Sequence, residues 1–469
     1  MVVELIYHSL LQACKLKAIE YNNRAISFYH KHQYKDAEIA FLKAIEINPN
    51  YAEAYSNLGA LYAKHKKYDK AIALYQKSIK LKPNYAGAYT NLGNALNKVS
   101  RHEEAVYFHK TAISLDAKSP NHFSNCASAY KNLGRFSEAK KYYQKALSLE
   151  PSHVNAHFDL ATLLLQTGEV QEGWREYEWR FKKDEMLGHI KKYKTIFEAT
   201  PYRGEELKGE RVLVHAEQGF GDTLMMARYL KLLKERGATV ILYLRAGLER
   251  LFSTMSYVDE IYTREDKIPA FEYQVAFMSL AFVLDIKLEK LTQNYPYFEI
   301  DRRYTLRASK SRLKIGIVWG ASNTGDSYEK KVFNLRHFQK MSRHKDIELY
   351  SLQLGEDAAH IERYGMKDDI IDLSKSIDDF YTTAEMINAL DLVITSDTSV
   401  AHLAGAMGKK VWILLQKVPD WRWGVGECMS SWYPSAKLFH QYSLGDFNSV
   451  FRQVYKELEK EYKIKVIDG

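Results

Sequence analysis

At 469 residues the chain exceeds what one hydrophobic core organises, so two to four domains are expected. Its 46% hydrophobic and 27% charged residues are the balance of a soluble globular protein, and no apolar run of about eighteen residues suggests a membrane span. The formal net charge of +9 fits a lysine-rich solvated surface or an anionic partner, but no arginine-rich run or RNA-binding aromatic signature points to nucleic acid.

The first residues, Met1 to Tyr7, have no basic segment and carry Glu4 inside the apolar stretch, so they do not read as a secretory leader. Cys14, Cys126 and Cys428 are too far apart for a metal set or a disulfide framework, and a reducing cytoplasm is the expected location.

An internal period of 34 residues then dominates. Tyr51-Ala-Glu-Ala-Tyr-Ser-Asn-Leu-Gly recurs as Tyr85-Ala-Gly-Ala-Tyr-Thr-Asn-Leu-Gly. The same period carries a small residue through Ala37, Ala71, Ala105, Ala139 and Gly173. It carries an aromatic through Phe41, Tyr75, Tyr143 and Tyr177, with His109 as the exception. Pro49, Pro83 and Pro151 fall where a second helix must stop. The pattern resembles the tetratricopeptide repeat, with copies starting near 18, 52, 86, 120 and 154 and a capping helix before them. Such copies bury their apolar faces only against neighbours, so a superhelix with a peptide-binding groove over residues 1–180 is expected.

Asn23, Asn57, Asn91 and Asn125 also lie in register, with Asp159 in the fifth place. Asparagine is a mediocre helix former, so four on one helix face need a reason. Their carboxamides can hold an extended peptide backbone, which resembles the ladder of protein O-GlcNAc transferases, or they can bridge adjacent repeats. Periodicity fails at Arg180, and residues 181–205 read as a linker.

Beyond it, strand-like and helical runs alternate, the mark of a parallel sheet. Strands are expected at 211–216, 239–244 and 273–277, then at 314–320, 348–353, 391–395 and 411–415. A change near 301–312 suggests two Rossmann-like halves, 206–305 and 306–469. The final helix, 447–462, is expected to pack back on the first half. Gly219-Phe-Gly221 lacks the acid about twenty residues on that a dinucleotide fingerprint requires, which disfavours NAD. Asp222 follows this turn and can cap the next helix or do chemistry. Asp397-Thr-Ser399 leads from a strand into a small-residue helix ending at Gly408, an arrangement that suits a phosphate, although Asp397 or Ser399 can equally be a cap.

Gly221-Asp-Thr-Leu-Met-Met-Ala-Arg-Tyr-Leu230 resembles the glycine–aspartate stretch of lipopolysaccharide heptosyltransferases. Asp397-Thr-Ser-Val-Ala-His-Leu-Ala404 is similar to that family's donor motif, with Ser399 in place of a glycine. Together with the repeats and Pro419-Asp-Trp-Arg-Trp423, the chain resembles bacterial repeat-bearing glycosyltransferases, some of them implicated in glycosylating flagellin or other proteins.

The resemblance implies an α + α/β chain, a repeat superhelix followed by a GT-B module, acting as an inverting glycosyltransferase without metal or other cofactor. It implies Asp222 as general base, with Glu217 as a second candidate. Gly221, Thr398, Ser399, Val400, Asp397 and His402 would surround the nucleotide-sugar diphosphate, and Lys330 or Lys331 would steady the leaving phosphate. Gln353, Glu356 or Asp357 would contact the ribose, Glu356 being preferred, and Trp421 and Trp423 would line the donor pocket or stack on a base. The acceptor would be Ser/Thr hydroxyls of a protein in the groove. Two alternatives stand beside this: a glycan or lipopolysaccharide acceptor, and a non-catalytic repeat scaffold.

Overall fold

The computed structural model describes residues 2–264, 266–292, 294–301, 304–306, 312–321 and 332–466, with side chains from residue 12 onward. The chain forms two compact units, Met1–Leu163 and Leu164–Gly469.

The first unit is helical throughout. A single helix runs Val2–His30, with no Pro or Gly to break it, so the capping helix and the first helix of the first repeat are one element. Antiparallel pairs follow: Tyr34–Ile47 against that helix, Ala52–Lys64 with Tyr68–Leu81, Ala86–Lys98 with His102–Leu115, and Pro120–Asn132 with Phe136–Leu149. Their close approach rests on small residues. A Cβ on Gly59 would lie 2.7 Å from the Tyr75 ring, and one on Gly93 would lie 2.6 Å from the ring of His109. Each loop between paired helices turns through one left-handed residue, and these are His32, Lys66, Ser100, Gly134 and Gly168, again 34 apart. The first repeat departs from the rest in chemistry. Positions filled by buried Leu58, Leu92, Cys126 and Leu160 hold exposed Arg24 there, and those of buried Ala54, Ala88 and Ala156 hold exposed Glu20. Charged residues thus stand where later repeats bury apolar ones, beside exposed Ile39 and Leu42.

The second unit holds two parallel sheets. The first has β1 (Arg211–His215), β2 (Thr239–Leu244), β3 (Glu260–Thr263) and β4 (Tyr273–Ala276) in the order β3-β2-β1-β4. The second has β5 (Leu313–Val318), β6 (Ile347–Ser351), β7 (Ile370–Asp372), β8 (Leu392–Ser396), β9 (Val411–Leu415) and β10 (Ala436–His440) in the order β10-β9-β8-β5-β6-β7. That is the doubly wound 3-2-1-4-5-6 arrangement, whose order reverses between β5 and β8 and opens a crevice at their carboxyl ends. Strands β3, β7 and β10 carry too short or too mixed an apolar pattern to be expected from sequence.

Two expectations are corrected. The stretch 181–205 is no free linker: it folds into helices Asp184–Lys192 and Lys194–Phe197 and buries Tyr193 and Ile196 against Leu213, Ile241 and Tyr243. The final helix, Phe447–Tyr462, packs on its own half. Its stripe of Val450, Phe451, Val454 and Leu458 closes the core around Phe338, Trp412 and Ile394 of the second sheet.

Arg228 is fully buried at the junction of the two halves. It donates from Nη1 to the carbonyls of Leu291 (2.5 Å) and Trp432 (2.8 Å) and from Nη2 to the Tyr297 hydroxyl (3.2 Å). The rings of Tyr297, Trp432 and Tyr433 surround its guanidinium.

Candidate functional site

The turn after β8 leads into the helix Ser399–Ala406. Thr398 is its N-cap residue, in extended conformation, and its side chain makes no capping bond; its Oγ1 lies 3.0 Å from Thr395 Oγ1. Asp397 and Ser399 therefore do not occupy the cap position. Asp397, Thr398 and Ser399 are half-buried at the crevice edge, and Val400 is buried behind them. The first amides of an α-helix lack intrahelical acceptors, which leaves such a turn able to meet an anion.

The neighbouring end of β5 is shaped by Gln353. Its Oε1 accepts from the amides of Trp319 (3.1 Å) and Gly320 (2.7 Å), and its Nε2 donates to Leu354 O (2.8 Å). The carboxamide thus serves backbone with both its ends. Glu356 is exposed, whereas its neighbour Asp357 is buried so tightly against Gly320 that a Cβ there would overlap Asp357 Oδ2. Lys330 and Lys331 lie outside the described residues.

The end of β1 supplies the opposite wall. Gly219 is the N-cap of the helix Phe220–Met226, and Asp222 Oδ2 accepts from the Gly219 amide (3.1 Å). Asp222 therefore does cap this helix. Its other oxygen, Oδ1, accepts from Arg422 Nε (3.0 Å) and Nη2, so a carboxylate of the first half is paired with a guanidinium of the second. Arg422 also donates from Nη1 to Asp420 Oδ1 (2.5 Å), and its guanidinium lies 4.3 Å from the centre of the Trp421 ring. Burial alone would lower its pKa, but the carboxylates of Asp222, Asp420 and Asp397, with Tyr177, hold it well above the usual value.

Other expected site residues are buried. His402 is buried, hydrogen-bonded from Nδ1 to Tyr433 Oη (2.9 Å) and stacked on Trp423 at 4.9 Å, with Gly221 against its ring. Trp423 is buried with it. Trp421 is buried among Trp174, Tyr177 and Trp432. Gln166 Nε2 donates to Pro419 O (2.8 Å), which fixes the start of the same loop. Glu217 is enclosed, and its Oε1 accepts from buried Arg180 (3.0 Å), which also holds Glu178 and Ser279. Burial raises the Glu217 pKa and Arg180 opposes that. A carboxylate sealed into such a pair has no route to a substrate hydroxyl, which removes Glu217 as a candidate base.

In the first unit, Asn57 donates from Nδ2 to Asn22 Oδ1 (3.0 Å), and Asn91 donates to Ser56 Oγ (3.3 Å). Both bonds span 35 residues and so stitch adjacent repeats. Asn125 is half-buried and Asn23 exposed at the corresponding positions.

Sequence reasoning missed Arg422. The available signal was an arginine held between two tryptophans after Pro-Asp, a placement that fixes the backbone on both sides of a charged fork.

Models of the tetratricopeptide repeat match residues 27–66, 52–85, 74–107, 121–153 and 142–175. The N-terminal unit is built of tetratricopeptide repeats. Protein FlbA of Caulobacter vibrioides is 25% identical over 309 residues, 59% of this chain and 50% of that protein. The chain thus spans about half the length of this curated relative. Among solved structures, MamA is 22% identical with a TM-score of 0.31, covering 35% of this chain and 96% of that one. The pilF structure from Pseudomonas aeruginosa is 21% identical with a TM-score of 0.34, covering 36% and 78%. No helix among the described residues is long and apolar enough to cross a membrane.

Proposed function

We propose that the chain is a glycosyltransferase that moves a sugar from a nucleotide-sugar donor to a hydroxyl of a protein held by the tetratricopeptide repeats. The observation that carries this is the meeting, across the two halves, of Asp222 with Arg422 near the helix Ser399–Ala406, whose His402 lies against Gly221. Doubly wound sheets bind ligands in such a crevice. A helix N-terminus suits the diphosphate, and a carboxylate from the opposite wall suits the acceptor proton.

In this reading the acceptor oxygen attacks the anomeric carbon while its proton passes to Asp222. The carbon–oxygen bond to the diphosphate breaks, and its electron pair leaves with the nucleoside diphosphate. Amides at Ser399 and Val400 stabilise the charge that grows there. The reaction is proposed to need no metal. Repeat arrays of this kind hold extended peptides, which is the support for a protein acceptor over a glycan.

The test is incubation of the full chain with UDP-, GDP- and ADP-sugars, reading released nucleoside diphosphate by chromatography. Slow release from one donor supports the enzyme, and Asp222→Asn should reduce it by about 10²- to 10⁴-fold. No release from any donor, with or without a co-expressed acceptor, favours the second reading, a non-catalytic scaffold. One observation speaks for that alternative: both oxygens of Asp222 are engaged in the fold.

A further inference from the structure

Arg422 presents two different edges to its surroundings. Nη1 faces Asp420, on its own loop, while Nε and Nη2 both fall on the single oxygen Asp222 Oδ1. A guanidinium's Nε/Nη2 edge is a fork matched to two oxygens of a carboxylate or phosphate, and here it grips only one. The second carboxylate oxygen is turned away to the Gly219 amide. The pairing is therefore an incomplete match, and a phosphate offering two oxygens would satisfy the same edge better.

The loop is also built to keep Arg422 in place should that edge change partner. Asp420 accepts from both the Arg422 amide (3.2 Å) and Nη1, the Trp421 ring lies against the guanidinium, and Gln166 anchors Pro419. Gly221, next to Asp222, lies against the His402 ring of the helix Ser399–Ala406, which sets the Asp222–Arg422 pair near that helix.

We propose that Arg422 is an exchangeable clamp: it holds Asp222 in this structure and moves its Nε/Nη2 edge to the donor diphosphate, which frees Asp222 Oδ1 for the acceptor proton. This rests on the nucleotide-sugar reading above and adds to it the cation that neutralises the leaving group. Donor binding and exposure of the base then become one event. Asp222 remains a cap through Oδ2 throughout.

The test is isothermal titration of UDP, GDP, ADP and CDP into the full chain and into Asp222→Asn, Arg422→Lys and Arg422→Ala, each with a thermal unfolding control. Exchange requires Asp222 to compete with the diphosphate. Asp222→Asn, which keeps its shape and its capping oxygen, should then bind the diphosphate tighter by about 5-fold or more. Arg422→Ala should weaken binding at least 10-fold, and Arg422→Lys should recover only part because it cannot fork. In the double variant Asp222→Asn/Arg422→Ala the gain should vanish. If the parent binds a diphosphate and Asp222→Asn binds it no tighter, the clamp is wrong and the nucleotide site stands. If the parent binds none of the four, the nucleotide-sugar reading fails and the clamp with it.

Discussion

A Cβ on Gly221 would lie 2.7 Å from Cδ2 of His402, so the helix after β1 and the helix after β8 meet at a point where only glycine fits. His402 has nowhere to retreat, being bonded to Tyr433 and stacked on Trp423. Gly221→Ala should therefore push the two halves apart and lower stability by about 1–3 kcal/mol. Urea unfolding of the second unit's tryptophan signal measures this. A parent-like midpoint would mean the contact yields.

The turns of the repeats offer a paired test. Ser100 takes a left-handed conformation at φ 64°, which Gly134 and Gly168 take at the equivalent places. Ser100→Gly should stabilise the repeats and Gly134→Ala should destabilise them, each by on the order of 1 kcal/mol, read from opposite shifts in melting temperature. Equal shifts in the same direction would contradict the account.

His109 is sealed between helices with no partner for either ring nitrogen among the described residues. Burial, aided by the charge of nearby His122, depresses its pKa to about 3. The unfolded chain binds this proton near the ordinary value and the folded chain does not, so the cost appears as pH falls through 6.5 and grows until about 3. It reaches roughly 5 kcal/mol at the acid end. Relative to the parent, His109→Phe, which supplies the residue type found at Phe41, should gain stability steadily between pH 6 and pH 4 and little at pH 8. A pH-independent difference would exclude His109 as the cause.

If Asn57 and Asn91 serve only as stitches between repeats, replacing each with Ala should lower unfolding stability by about 0.5–1.5 kcal/mol. If they also hold peptide, acceptor binding should weaken after correction for the folded fraction. Pull-down of a co-expressed acceptor alongside circular dichroism separates the two effects.

Glu217→Gln should leave turnover within a few-fold of the parent, because the buried carboxylate faces Arg180 and not the crevice. A drop comparable to that of Asp222→Asn would restore Glu217 as a base.

The repeat unit was legible because its period writes the same contacts again and again, as with Tyr75 on Gly59 and His109 on Gly93. The central strands were legible as apolar runs, while β3 and β7 were not, since half-buried edges share their composition with loops. Of the site, sequence placed Asp222 and the Thr398 turn on facing strand ends. It could not separate exposed turn residues from buried ones, so the burial of His402, Trp421, Trp423 and Glu217 was not legible. Arg422 escaped because its partner lies 200 residues away, a distance that no spacing rule spans.

The buried guanidinium of Arg228 ties the carbonyls of Met225, Leu291 and Trp432 at one point, whereas Phe220 on Phe380 and the surface pair of Arg250 with Asp379 (2.9 Å) join the halves more lightly. Parting the second unit's two sheets would therefore cost most at Arg228, where buried bonds must break, and little at Arg250. Raised ionic strength should loosen the Arg250 pair and leave the Arg228 tie intact.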